Sequence, residues 1–353
     1  MKIKYLLTCF LFLLVSLNLV AAQKLVWASV LFRHGDRTPI SKLPACPFAW
    51  APGLGELTPL GMHQEYILGT ELRERYVVKN KILPEHFDTN LLYVRSSDVN
   101  RTLQSAESLL CGLYPPGTGP ALADKRPALP NFYQPIPIHT EARSKDFLLN
   151  SQYIFKDKLK DIFQEEIYNN KEWLAKEAAV KDDFKLWSLI SGLKIKRLEN
   201  TISFGTNIFI RTIHNVSLPK GVDEKNAEKL ISLASWIVAA RYKPKNVGII
   251  VAGKLLQHIF ETMNDFIKGN SRVRCYLYSG HDANVLAMMS TLGLPVNKNP
   301  GYASCIQFEL YKDGKKYFVK MIFNGKTVNP PFFSNSYSCS IKIFDNYIKK
   351  LLI

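Results

Sequence analysis

The sequence predicts an α/β fold: a central, mostly parallel sheet flanked by helices, with a smaller α-helical domain inserted into it. Three observations lead there. Apolar, β-favouring runs at Lys24 to Phe32, Asn90 to Val94 and Arg274 to Ser279 read as buried strands. Each stops at a connection that carries arginine or histidine. From about Ser151 to Tyr242 this pattern gives way to long helical patterns rich in Lys, Glu, Leu and aromatics. The chain beyond its leader is longer than one compact core usually takes. It therefore divides into an α/β domain, residues 23–125 and 246–353, and a helical insertion, residues 126–245.

Residues 1–22 carry lysines at positions 2 and 4, an apolar run from Tyr5 to Val20, and small residues at Ala21 and Ala22. This is the pattern of a secretory signal peptide cleaved before Gln23. An uncleaved membrane anchor is the weaker reading, because the run is short and small residues follow it directly. No later segment has the apolar length to cross a bilayer, so no transmembrane anchor is expected after cleavage. The expectation is an exported chain, secreted or periplasmic, or lysosomal in a eukaryotic host.

The net charge is +16. Loss of residues 1–22 removes two lysines and no acid, leaving 44 basic residues against 30 acidic ones. Such a surface attracts phosphorylated small molecules and, weakly, anionic surfaces. The lysines are spread along the chain with no block longer than a pair, so no specific nucleic-acid binding is read from them.

The first strand ends in Arg33-His34-Gly35-Asp36-Arg37-Thr38-Pro39, where Gly35 and Thr38-Pro39 read as a turn. Ligands of open α/β sheets bind at the carboxyl ends of strands. Arg33 and Arg37 offer bidentate, charge-assisted hydrogen bonds to a tetrahedral oxyanion, and phosphate is the obvious candidate. An imidazole between fixed cations has its protonated form destabilised, which keeps His34 neutral and nucleophilic in acid. The bland alternative is a solvated surface turn. Arg, His, Gly, Arg and Pro at these fixed positions match by chance on the order of once in 10⁴ chains.

Beyond this turn, Leu43 to Gly55 is rich in Pro and Gly and reads as an irregular flap at the rim of the site. Thr58 then caps a helix with Pro59 at its first position, Leu60, Ile67, Leu68 and Leu72 on its apolar face, and an end near Arg75. Arg95 closes or follows the second strand, and Asp98 is the candidate cap of the helix through Leu103, Leu109 and Leu110. Gly248 to Phe266 and Ala283 to Thr291 read as helices, and Lys312-Asp313-Gly314-Lys315 as a hairpin turn. His63 reads as a surface residue, His139 and His214 as hydrogen-bonded structural ones. Asp36 is assigned to holding the turn or an arginine.

Three stretches carry a resemblance. Arg33 to Pro39, the stretch Val94-Arg95-Ser96-Ser97-Asp98-Val99-Asn100-Arg101-Thr102, and Gly280-His281-Asp282-Ala283-Asn284 occur in the order found in the histidine acid phosphatases. The chain resembles that family, the second branch of the histidine phosphatase superfamily, over nearly its whole length beyond the leader, and most closely the prostatic and lysosomal type. The resemblance implies a phosphoglycerate-mutase-like α/β fold whose helical insertion roofs the pocket. It implies a phosphate clamp of Arg33, Arg37, Arg95 and His281, with Arg95 as the third arginine. His34 would attack phosphorus and become a phosphohistidine, while Asp282 protonates the leaving alcohol and then helps activate water. Asp282 could also cap the helix before Ala283. The expected activity is broad phosphomonoester hydrolysis with an acidic optimum and no cofactor or metal; the seven histidines show no zinc-type spacing. His281-Asp282-Ala283-Asn284 is closer to the phytase-like branch, which makes an inositol phosphate phosphatase the alternative. A basic exported binding protein without catalysis is the alternative from another class. Relatives of the prostatic type form homodimers, and a homodimer is expected on that ground alone.

Cys46, Cys111, Cys275, Cys305 and Cys339 follow the leader. Export permits disulfides, and five cysteines leave at least one unpaired. Cys305 and Cys339 align with family cysteines whose partners are absent, so connectivity stays open, a Cys46–Cys111 pair included. Asn100 and Asn215 begin glycosylation sequons.

Overall fold

In a computed structural model, which describes residues 23–351, the first apolar run forms β1 (Lys24–Arg33) at the middle of a seven-stranded sheet. The leader lies outside the described residues. The remaining strands are β2 (Leu92–Ser96), β3 (Cys275–Gly280), β4 (Cys305–Asp313), β5 (Lys316–Phe323), β6 (Lys326–Val328) and β7 (Cys339–Ser340). Their order is β2-β3-β1-β4-β5-β6, with β7 paired to β5.

The α/β class with a helix-flanked central sheet is as predicted, but the sheet is mixed rather than mostly parallel. Only β2, β3 and β1 run parallel; β1–β4, β4–β5, β5–β6 and β5–β7 are antiparallel. The tight turns at Gly314 and Gly325 dictate the β4–β5 and β5–β6 pairs, since so short a connection joins only antiparallel neighbours.

Eleven α-helices are described: α1 (Pro59–Arg73), α2 (Asn100–Leu113), α3 (Ser151–Ile154), α4 (Lys156–Ile162), α5 (Lys171–Ala178), α6 (Phe184–Ser191), α7 (Ile202–Ile213), α8 (Glu224–Tyr242) and α9 (Lys245–Lys268), with α10 (Asp282–Thr291) after the third strand and α11 (Ile341–Leu351) after the last. β1 is apolar on both faces because both are covered. Trp27 and Leu31 enter a core with α9, α10 and α11, whereas Leu25, Val30 and Phe32 enter one with α1 and α2. A third core, built on Trp173, Trp187, Phe204, Ile208 and Leu230, belongs to the helical region and takes in Leu43 from the irregular segment before α1.

The structure joins none of the five cysteines. Cys275 and Cys305 show why proximity in the sheet is not enough. They pair with Ala28 and Phe32 on opposite sides of β1, two strand spacings apart and four residues out of register. That separation far exceeds disulfide reach.

Thr58 caps α1 as predicted, its side chain accepting from Gly61 N at 3.1 Å. The buried face of α1 differs from the apolar spacing, because Gly61, Glu65, Leu68, Gly69 and Leu72 face inward while Leu60 and Ile67 are exposed. Backbone contact sets that rotation. A Cβ on Gly35 would lie 2.3 Å from Gly61 O, and one on Gly69 would lie 2.0 Å from Leu109 O. Helix α1 therefore seats directly on the turn after β1 and on α2, which only glycine allows.

The rotation buries Glu65 completely, and neither carboxylate oxygen has a partner. Burial pushes its carboxyl well above the ordinary range, against the pull of Arg33. A folded value above the unfolded one means that the stability of the protonated form is fully present below about pH 4.5 and is lost as pH rises through the folded value. Glu65→Gln stays neutral. It is expected to gain on the order of 1–3 kcal/mol over wild type at pH 7 but not at pH 4. Melting curves at both pH values check this, and equal differences at the two would contradict it.

Candidate active site

Register places the site. Ser96 pairs with Ser279 and Arg33 with Gly280, so the carboxyl ends of β2, β3 and β1 lie level. His34 N then donates to Gly280 O at 3.0 Å and Ser97 N to Ser279 O at 3.1 Å, carrying all three connections into one crevice. The sequence-predicted Arg33, His34, Arg37, His281 and Asp282 meet there; the side chain of Arg95 does not join them.

His34 is buried, and its Nδ1 lies 2.8 Å from Gly35 O. A carbonyl only accepts, so Nδ1 carries the proton and Nε2 keeps a free lone pair. Burial first, then the charges of Arg101, Arg33, His281 and Arg37, hold the imidazole well below the usual histidine range. These effects favour its neutral form below the usual histidine range.

Arg33 hydrogen-bonds Pro300 O, lies 3.3 Å from Asp282 Oδ2, and has its guanidinium carbon 4.4 Å from the ring centre of Tyr302. Arg37 donates to Thr38 O at 2.9 Å. Arg101, in the first turn of α2, approaches His281 Nδ1 at 3.4 Å and Gly55 O at 3.4 Å. Burial, and next the charge of Arg37, push it down to about 10. Arg33, Arg37 and Arg101 each keep a buried Nε with no hydrogen-bond partner. Three guanidinium groups crowded in this way gain from an anion between them.

Arg95 corrects the expectation for the third arginine. It does sit at the carboxyl end of β2, but its Nη2 donates to buried Asp146 at 2.8 Å. Asp146 also accepts from Leu148 N, Leu149 N and Asn150 Nδ2. That assembly takes the guanidinium of Arg95 out of the crevice, and Arg101, six residues later, supplies the cation. The signal was available in the sequence: a helix beginning just past a strand's carboxyl end directs its first turn at the site.

His281 is the N-cap of α10 and Asp282 its first residue, so the cap stands one position earlier than Asp282. Asn284 Oδ1 accepts from His281 N at 2.9 Å, and Asp282 Oδ1 accepts from Ala283 N at 2.8 Å. The Nε2 of His281 is 3.0 Å from Ser97 Oγ. Burial, followed by the charge of Arg101, pushes His281 down to about 3. Asp282 experiences opposed effects: burial raises it, while Arg33, Arg37, His281 and the N–H of Ala283 together hold it below the ordinary carboxylate range. Asn299 Nδ2 adds a contact to Asp282 Oδ2 at 3.4 Å.

Asp36 holds the turn, as read from the sequence, through Thr58 Oγ1 at 2.5 Å and His214 Nε2 at 2.6 Å. No arginine pairs with it among the described residues. His214 follows α7, so this contact ties the turn to the helical region. His63 and His139 are exposed. Tyr302 is a wall that sequence reasoning passed over: its ring lies 5.9 Å from that of His34 and stacks on Phe209 at 6.1 Å. Among the described residues no three His, Cys, Asp or Glu gather as a metal site.

The crevice brings together an imidazole held toward its neutral form, three convergent arginines and a carboxylate at a helix start, a set whose charges suit a tetrahedral oxyanion. Residues 24–324 match the family model of the histidine phosphatase superfamily, branch 2, and the chain belongs to that family. It is 32% identical to human prostatic acid phosphatase over 89% of this chain and 81% of the relative. It is also 32% identical to a lysosomal acid phosphatase of Xenopus laevis over 96% of this chain and 79% of the relative. The phytase of Citrobacter braakii shares the fold with a TM-score of 0.67 at 16% identity, covering 93% of this chain and 98% of that one.

Proposed function

We propose that the chain is an exported acid phosphatase that hydrolyses phosphate monoesters through a phosphohistidine on His34, without metal. The observation that carries this reading is the free, unprotonated Nε2 of His34 among the unpartnered Nε groups of Arg33, Arg37 and Arg101. The three guanidinium groups bind the phosphoryl oxygens and stabilise the charge that they carry in the transition state. His281 adds a donor through Nδ1 once its tautomer shifts, because the Ser97 hydroxyl at Nε2 serves as either donor or acceptor. Nε2 of His34 forms the bond to phosphorus as the ester oxygen leaves with a proton from Asp282. Water then breaks the phosphorus–nitrogen bond, Asp282 taking its proton.

Asp282 is ionised in the free protein at mildly acid pH, so the proton arrives with the substrate. A phosphomonoester loses its second proton near pH 6. Binding of the monoanion places that proton between phosphate and Asp282, while the phosphate charge weakens the hold of Arg33 and Arg37 on the carboxylate. kcat/KM is therefore expected to fall by about tenfold per pH unit above roughly pH 6. In Asp282→Asn, kcat should drop about 10²- to 10⁴-fold for alkyl phosphates and much less for p-nitrophenyl phosphate, whose leaving group needs no proton. Initial rates with a chelator present check both points. Equal losses on the two ester classes, or dependence on added metal, would contradict the assignment.

A further inference from the structure

Above Asp282 the crevice opens into a cavity of about 390 Å³, enough for a single-ring leaving group. Arg33, Arg37 and Asp282 lie at its phosphoryl end, and its walls carry Ile40, Ile202, Phe209 and Val238 with the uncharged polar Thr206, Ser235 and Asn299 among them. Such walls favour an apolar leaving group. One charged side chain interrupts them away from the phosphoryl end.

Arg241, in the last turn of α8, lines this cavity and also the neighbouring one that holds Arg37, Ser41 and Glu199. Its guanidinium carbon lies 5.5 Å from the ring centre of Tyr168 and 5.7 Å from that of Phe163, which fix it in place. Its Nε is buried with no hydrogen-bond partner. Among the described residues no carboxylate forms an ion pair with it; Glu199, across the neighbouring cavity, lies 3.5 Å from Arg197 instead. A held cation without a counter-ion, in an apolar wall, is a site for an anion on the ligand.

We infer that Arg241 sets specificity, and that the cavity selects phosphate monoesters of apolar, single-ring alcohols or phenols bearing a second oxyanion, carboxylate or phosphate. This rests on the phosphatase reading above. Inositol polyphosphates fit it poorly, because away from the phosphoryl end their many remaining phosphates would meet a single cation in an otherwise uncharged wall.

The test compares phenyl phosphate, 4-carboxyphenyl phosphate and 1,4-phenylene bisphosphate at pH 5 with wild type, Arg241→Gln and Arg241→Lys. The readout is the ratio of kcat/KM for a charged ester to that for phenyl phosphate within each protein, which cancels any general loss of folded or active enzyme. Wild type should prefer at least one charged ester by about tenfold, mainly through KM, and the preferred ester identifies the oxyanion. Arg241→Gln should bring that ratio close to one and Arg241→Lys should restore part of it. A wild-type ratio of one, or a preference that survives in Arg241→Gln, overturns the inference while hydrolysis of phenyl phosphate leaves the phosphatase reading standing. Absence of hydrolysis of all three overturns both.

Discussion

Replacing His34 with alanine is expected to lower kcat on the order of 10⁴-fold or more on every phosphomonoester, because it removes the imidazole whose free Nε2 lies among the three arginines. Loss of the ring should not unfold the chain. The strand leading to it is buried on both faces, and the backbone bond from residue 34 to Gly280 O survives the substitution. The variant should also still bind inorganic phosphate, since the guanidinium groups remain. Steady-state kinetics with thermal melts in the presence and absence of phosphate check the two halves. Residual turnover within tenfold of wild type would remove His34 from the reaction.

Arg101→Ala is expected to cost roughly 10²- to 10³-fold in kcat/KM, the usual loss for one preorganised donor to transition-state charge. It should also abolish most of the melting-temperature rise that phosphate produces in wild type. Arg95→Ala should behave in the opposite way. It leaves buried Asp146 without its cation, a loss of roughly 3 kcal/mol in stability, while the phosphate-induced rise persists. Reversal of these outcomes would return the third arginine to Arg95.

The pair also shows what the sequence can and cannot reveal. The strand ends, the turn after β1 and the start of α10 were legible because each is a local pattern: an apolar run, then a turn or a helix start carrying the chemistry. Choice between Arg95 and Arg101 was only half local: the helix start points to Arg101, but what removes Arg95 lies far away. Asp146, 51 residues beyond Arg95, takes that guanidinium, and nothing near Arg95 announces it. The face of α1 was misread for a similar reason. Apolar spacing placed Leu60 and Ile67 inside, yet the close approach of Gly61 to Gly35 and of Gly69 to Leu109 turns the helix and buries Glu65. The hairpin at Gly314 was legible and fixes one antiparallel pair, β4 with β5, whereas the antiparallel docking of β4 on β1 is long-range. The free cysteines and the Asp36–His214 contact depend on long-range packing that no residue spacing encodes.

The most direct test of the account is to mix the enzyme with a phosphomonoester labelled in its phosphate at pH 5, quench within milliseconds into alkali, where phosphohistidine survives, and locate the label by peptide mass spectrometry. The account predicts label on His34, chased off by unlabelled substrate at the turnover rate and missing from His34→Ala. Turnover at full rate with no labelled protein, or label on another residue that persists in His34→Ala, would contradict it.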